Sequence, residues 1–284
     1  MDLMNAQFAL QESWTEADAR RALRGRAAHA AGVERRRHIL TRTMELDVIP
    51  ELLRRHRALP SGIRIAESQV STLTRLVLQQ DEPAALAFVL ELRSQGVAME
   101  QLLLDLLAPA ARTLGAMWEN DTCDFTAVTS GLWRLQSAMR ALASVEIVPP
   151  VNAPRIVLVP LPGEDHTFGL SMVYEFFRRA GWNAWTGPVE NRAALRSLVR
   201  ARPVAVLGFS LACDDRLDDA RAEIAAVRRA SRNPDIAIMV GGPGFTDNPA
   251  LAAAVGADAT ARDGQDAVLQ ATALLAQANG HKRK

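Results

Sequence analysis

Two cysteines, Cys123 and Cys213, are all that the 284 residues contain, so no disulfide framework holds the fold, and isolated thiols of this kind are ordinarily structural rather than reactive. Charge of one sign is also missing. The formal net charge is +1, which removes the global basic excess expected of a nucleic-acid binder. No apolar run approaches the ~20 residues of a membrane span, and the mixed charge of the N-terminus is unlike a secretory signal. A cytoplasmic location is the expectation. Arginines do gather early, at Arg20, Arg21, Arg24, Arg26, Arg35, Arg36, Arg37, Arg54 and Arg55, but no aromatic side chains interleave with them as on a nucleic-acid platform. They read as a solvated helix face, with a protein partner or phosphates as the alternatives, so direct DNA contact is left open. What is present is ordinary globular material: 49% hydrophobic and 23% charged residues are enough for two cores without structural metals.

Periodicity divides the chain. A helical N-terminal extension is expected over residues 1–62 and four amphipathic helices over 63–148, at Ile65–Gln79, Pro83–Ser94, Met99–Glu119 and Phe125–Leu142. Asp81-Glu82-Pro83, Gly96 and Asn120-Asp121-Thr122 supply the turns between them. Four such helices make a bundle. Pro149, Pro150 and Pro154 mark a linker over 149–154. From 155 to 280 apolar runs alternate with helical patterns. Strands are expected at 155–161, 182–186, 204–210, 236–241 and 257–260, and helices at 167–181, 191–201, 215–231, 247–255 and 264–278. His281 to Lys284 reads as a frayed tail. The pattern is a five-stranded parallel α/β domain of Rossmann-like, flavodoxin-like type.

Three loops carry the chemistry. Glu164-Asp165-His166-Thr167-Phe168-Gly169 follows the first strand, Ser210-Leu211-Ala212 ends the third and Gly241-Gly242 ends the fourth. A neutral imidazole binds transition metals well, and an acid two residues earlier suits the second ring nitrogen. On its own, a loop histidine such as His166 is more often a solvated or capping residue than a ligand, and each glycine is an ordinary turn. Ligands of open α/β sheets bind outside the carboxyl ends of the strands, where all three loops belong.

The spacing strengthens the set. Forty residues, 170–209, separate Gly169 from Ser210, and 28 residues, 213–240, separate Ala212 from Gly241. This register resembles the cobalamin-binding signature D-x-H-x-x-G, S-x-L/T/A and G-G. The resemblance implies that His166 replaces the dimethylbenzimidazole as lower axial cobalt ligand, that Ser210 offers its hydroxyl to the buried base, and that glycines 169, 241 and 242 let backbone approach the nucleotide tail. Glu164 stands where the family has Asp. One more methylene makes its contact with His166 longer or water-mediated, and Asp165 competes for the same bond.

The bundle extends the likeness. Leu114-Gly115-Ala116-Met117-Trp118-Glu119 resembles the L-G-x-x-W-E stretch of the helical cap in cobalamin proteins, which implies that Trp118 rests near the upper face of the corrin ring, although a lone aromatic is otherwise core or interface. In light-sensing, DNA-binding relatives a Glu-His pair follows that tryptophan by 10 and 11 residues. Val128 and Thr129 occupy those positions here, and neither replaces an imidazole. Asp47 to Arg57, with His56 near its end, resembles the I-I-P-R-L-L-L-A-H segment before the bundle in photosynthesis regulators. That group is the cobalamin-binding antirepressors of the AerR/PpaA family, with the related heme-or-cobalamin sensor domain of AppA. His56 is then a possible upper axial ligand, or else a cap at a helix C-terminus.

The resemblance implies a cobalamin-binding, light- or redox-responsive antirepressor that is not an enzyme and that binds a PpsR/CrtJ-type transcriptional repressor. The cofactor would be adenosyl-, methyl- or hydroxocobalamin. No helix-turn-helix and no second catalytic module accompany it. Two alternatives stand beside this reading: a corrinoid carrier of a methyltransferase system, against which the long N-terminal extension counts, and a heme sensor.

Overall fold

The computed structural model describes residues 64–79, 82–143, 146–164, 167–187, 189–211 and 216–281. The chain divides into two compact units, Met1–His56 and Arg57–Lys284. The first unit lies outside the described residues, and with it the expected N-terminal helices and His56.

The second unit begins with the bundle. Helix α1 (Glu67–Leu78) starts where the Gln69 side chain accepts the Ala66 amide at 2.7 Å, and α2 (Glu82–Ser94) follows. The third expected helix has three parts: α3 (Met99–Gln101), a π-helical stretch (Leu102–Leu107) and α4 (Ala108–Glu119). Pro109 accounts for the interruption. Its ring would collide with the carbonyl four residues back in a regular helix, and it has no amide to donate, so the wider π turn accommodates it. Leu102, Leu103, Leu106 and Leu107 of the stretch are all fully buried.

Helix α5 (Phe125–Leu142) completes the bundle, capped by Asp124, whose side chain accepts the Ala127 amide at 2.8 Å. The turn before it uses the residues expected. Asn120 Nδ2 donates to the Ala116 carbonyl and Thr122 Oγ1 to that of Met117, both at 2.8 Å, while Asp121 takes a left-handed φ of 53°. Helices α4 and α5 cross closely, because a β-carbon at Gly131 would lie 3.0 Å from Leu114 Cδ1.

Residues 146–154 then lead to a sheet of five parallel strands in the order β2-β1-β3-β4-β5. They are β1 (Arg155–Pro160), β2 (Asn183–Thr186), β3 (Val206–Ser210), β4 (Ala237–Gly241) and β5 (Ala259–Thr260). The helices between and after them are α6 (Phe168–Arg179), α7 (Arg192–Ala201), α8 (Leu217–Ala230), α9 (Pro243–Asp247), α10 (Ala250–Ala254) and α11 (Gly264–His281). The architecture is the expected bundle followed by a Rossmann-like domain. Some bounds differ: the strand expected at 204–210 begins at Val206, that expected at 257–260 is only Ala259–Thr260, the helix expected at 247–255 starts at Pro243 and breaks at Asn248-Pro249, and the last helix continues past 278 to His281.

Strand alternation sorts the core. Ile156, Leu158, Ala237 and Met239 point to the side of α6 and α11, whereas Val157, Val159, Ile238 and Val240 point to that of α7 and α8. The first side continues without a break into the bundle, through Leu135, Ala138, Met139 and Leu142 of α5 and Phe176 and Phe177 of α6. Bundle and sheet therefore share one hydrophobic core. Among the described residues no helix is long and apolar enough to cross a membrane.

Candidate functional site

The three loops singled out by sequence leave the sheet abreast. Pro160 at the end of β1 is in register with Ser210 at the end of β3, and Ser210 with Gly241 at the end of β4. The ladder runs one step further, with the Leu161 amide donating to the Ser210 carbonyl at 2.9 Å and the Leu211 amide to that of Gly241 at 3.0 Å. Sequence spacing thus becomes one level at the carboxyl edge of the sheet. Of the first loop, Glu164 is half-buried, Thr167 and Gly169 are exposed and Phe168 packs partly on the core. Asp165, His166 and Ala212 lie outside the described residues. Leu211 is buried, and Ser210 is half-buried at the edge.

The glycines divide into two kinds. A β-carbon at Gly169 or Gly241 would meet nothing within 4 Å, so these positions border open space that a ligand can enter. Gly242 is different. Its φ is 125°, and a β-carbon there would overlap the Leu211 carbonyl oxygen. This glycine is required for the approach of the β3 and β4 loops to one another, whatever else lies beside it.

The bundle reaches over that edge. Gln136 Nε2 of α5 donates to Ser171 Oγ of α6 at 3.3 Å, and Arg178 Nη2 of α6 donates to the Ala143 carbonyl at the end of α5 at 2.7 Å. The two contacts are seven residues apart on both helices, so α5 and α6 run side by side in the same direction. Trp133 is then level with Phe168, the first residue of α6, and Phe125 lies about 12 Å beyond it at 1.5 Å per residue. The far ends of α4 and α5 overhang the loops. Exposed aromatics mark them, Trp118 at 50% and Phe125 at 68% accessible, while Trp133, 52% accessible, lies further along α5 level with the start of α6. Trp118 and Phe125 meet edge to face, with centroids 6.5 Å apart. Uncovered aromatics grouped in this way denote a surface that binds something apolar and broad.

The two residues standing where relatives keep Glu and His part company. Val128 belongs to the bundle core, whereas Thr129 is exposed. Phe125 and Trp133 were not identified as site residues from sequence. A signal existed for Trp133, which falls outside the buried stripe Val128, Gly131, Leu135, Ala138 and Leu142. Gly169 and Gly241 thus face open space at the sheet edge, and Trp118 and Phe125 leave apolar ring surface uncovered on the bundle.

Comparison with known proteins agrees with this geometry. Residues 154–271 match the B12-binding family model, described as a B12 binding domain, and residues 70–143 match a second model of the same description. The chain therefore carries cobalamin-binding domains in both the sheet and the bundle. Over 94 residues it is 34% identical to an uncharacterized 20.5 kDa protein in the bchF-crtJ intergenic region of Rhodobacter capsulatus, a match covering 32% of this chain and 49% of that protein. The chain thus spans about half the length of this curated relative. Among solved structures, the monomethylamine corrinoid protein of Methanosarcina barkeri aligns with a TM-score of 0.61 and 16% identity, over 74% of this chain and 99% of that one. At that identity the likeness concerns the fold. A cobalamin-binding protein from Desulfitobacterium hafniense aligns at a TM-score of 0.40 with 17% identity, over 72% of this chain and 98% of that one.

Proposed function

We infer that the protein binds cobalamin between the overhanging bundle end and the three sheet loops, and that it is a light- or redox-responsive antirepressor rather than an enzyme. The observation that carries the reading is the level edge formed by Pro160, Ser210 and Gly241, taken with the uncovered rings of Trp118 and Phe125 on the bundle. When bound, the cofactor supplies a cobalt centre whose upper ligand responds to light or redox state. His166 is the residue of the loop with the chemistry of a lower axial ligand, and Glu164 and Asp165 are the acids available to orient it. Gly169 and Gly241 leave room for the nucleotide tail, and Ser210 provides a hydroxyl beside it. His56 is the candidate for the upper face, since Val128 is committed to the core and Thr129 carries no imidazole.

The regulatory half of the reading is supported by the relative in the bchF-crtJ intergenic region, because crtJ, which bounds that region, shares its name with the expected CrtJ-type repressor. The partner would be a PpsR/CrtJ-type repressor in the cytoplasm. A ligand change at cobalt would shift the bundle between two arrangements and so alter the surface offered to that partner.

The test is direct. The purified protein is loaded with adenosyl-, methyl- or hydroxocobalamin, and its absorption spectrum and affinity for the repressor are measured in darkness and after illumination. A lasting spectral change coupled to altered repressor binding is expected. Ordinary photolysis with constant repressor binding would overturn the antirepressor and favour a corrinoid carrier, and a heme spectrum after expression with both cofactors would replace cobalamin. His166→Ala should lose the spectrum of histidine-ligated cobalt, and an unchanged spectrum and affinity would remove His166 from its role.

A further inference from the structure

The loop that leads to His166 opens with a turn whose central peptide is held from outside. The Glu164 amide donates to the Leu161 carbonyl at 2.8 Å, Pro162 occupies the second position and Gly163 the third, with a φ of 88°. Proline second and a positive-φ glycine third define a type II turn. In such a turn the central carbonyl, that of Pro162, has no partner within the turn itself. A type I turn differs chiefly by a flip of that same peptide, so whatever captures the carbonyl decides which way the loop leaves.

Arg216 captures it. Its Nη2 donates to the Pro162 carbonyl at 2.5 Å, across 54 residues of sequence, and a β-carbon at Gly163 would lie 3.3 Å from the same nitrogen. The guanidinium therefore covers the turn as well as bonding to it. Its own position is secured from behind. Arg216 Nη2 lies 3.5 Å from Asp219 Oδ2 one turn along, and Asp219 Oδ1 accepts from Arg192 Nη2 of α7 at 2.7 Å. The Arg192 guanidinium, with Arg216 beside it, holds the Asp219 carboxyl below the usual carboxylate range. Behind Arg192 stands Glu223, buried in α8, with Oε2 at 3.8 Å from Arg192 Nε and 3.6 Å from Arg196 Nη1.

We propose that Arg216 is a positioning residue for the axial-histidine loop: by fixing the Pro162–Gly163 peptide in its type II orientation, it sets the direction in which the chain departs toward His166. The relay Glu223, Arg192, Asp219, Arg216 ties that loop to α7 and α8, on the face of the sheet opposite the bundle. The consequence for the cofactor rests on His166 being the lower axial ligand; the consequence for the turn does not.

The NOE between the Pro162 Hα and the Gly163 amide in the cofactor-free full chain reads the turn, because the two protons are close in a type II turn and far apart once the central peptide flips, and the absorption spectrum and affinity with hydroxocobalamin read its consequence. Arg216→Ala should weaken that NOE severalfold and lower the affinity for hydroxocobalamin by roughly tenfold, the equivalent of one charge-assisted hydrogen bond, with a shifted cobalt spectrum. Arg216→Lys, which retains one donor without the planar fork, should recover part of both effects. Arg228→Ala is the control: it breaks the 2.8 Å pair with Asp258 elsewhere on α8 and should leave the NOE and the spectrum as in the parent. An unchanged NOE in Arg216→Ala, or an equal loss in Arg228→Ala, would overturn the clamp. A weakened NOE with an unaltered cobalt spectrum would overturn its link to the axial loop. Failure of the histidine assignment is seen separately, in His166→Ala.

Discussion

Leucines hold the bundle and charges discipline the sheet domain. In the bundle, Leu102, Leu103, Leu106, Leu107 and Leu114 fill an interior with no accessible surface, and the far end leaves the rings of Trp118 and Phe125 uncovered. In the sheet domain the apolar core is equally dry, but charges add to it: Glu175 pairs with Arg178 and Arg179 within α6, Asp219 joins α8 to Arg192 of α7, and Arg228 joins α8 to Asp258 before β5. Apolar packing has no preferred direction and tolerates sliding, whereas a hydrogen-bonded ion pair specifies one geometry. The loops at the sheet edge are therefore held in direction more strictly than the helices of the bundle.

Substitutions can break the comparison. The largest effect is expected for Gly242→Ala, because a positive φ and an overlap with the Leu211 carbonyl act together; about 4 kcal/mol of stability should be lost in denaturant unfolding. Leu114→Ala should cost about 3 kcal/mol by leaving a cavity where α4 crosses α5. Glu175→Ala comes next, at about 2 kcal/mol, since the carboxylate is buried between two arginines that retain some access to water. An equal loss from a conservative Leu114→Met would show that the bundle is as geometrically exacting as the sheet and would erase the contrast.

Two smaller effects sharpen it. Trp118→Ala should change stability by no more than about 0.5 kcal/mol, the ring being half exposed, yet weaken cobalamin binding roughly tenfold in a titration followed by absorbance. The smallest concerns Glu223. Burial pushes its carboxyl up, against the pull of Arg196 and Arg192, and among the described residues Oε1 has no hydrogen-bond partner. A carboxyl raised on folding contributes stability below its unfolded value and withdraws it as pH rises through the folded value. Glu223→Gln should therefore melt at or slightly above the parent at neutral pH, an advantage that vanishes in acid, below the ordinary carboxylate range.

Legibility in the sequence followed the range of the interactions. The bundle turn at Asn120-Asp121-Thr122 was visible because its hydrogen bonds reach only four or five residues, and β1, β3 and β4 were visible as apolar runs closed by small residues. The π-helical stretch was hidden inside one amphipathic pattern, although Pro109 marked it. Val128 and Thr129 are neighbours in sequence, yet only packing sends one into the core and leaves the other exposed. Arg216 had no local signal at all: its acceptor lies in another loop, 54 residues away.

By itself, then, the sequence determined the elements, the parallel sheet and the spacing that brings Ser210 and Gly241 level with the end of β1, because periodicity and turn chemistry act within a few residues. Only the tertiary structure decided which aromatics overhang the loops, which glycine is needed for a backbone approach and which arginine grips the turn before His166. Those are contacts between segments far apart in the chain, and they exist only once strand register and helix alignment have set the distances.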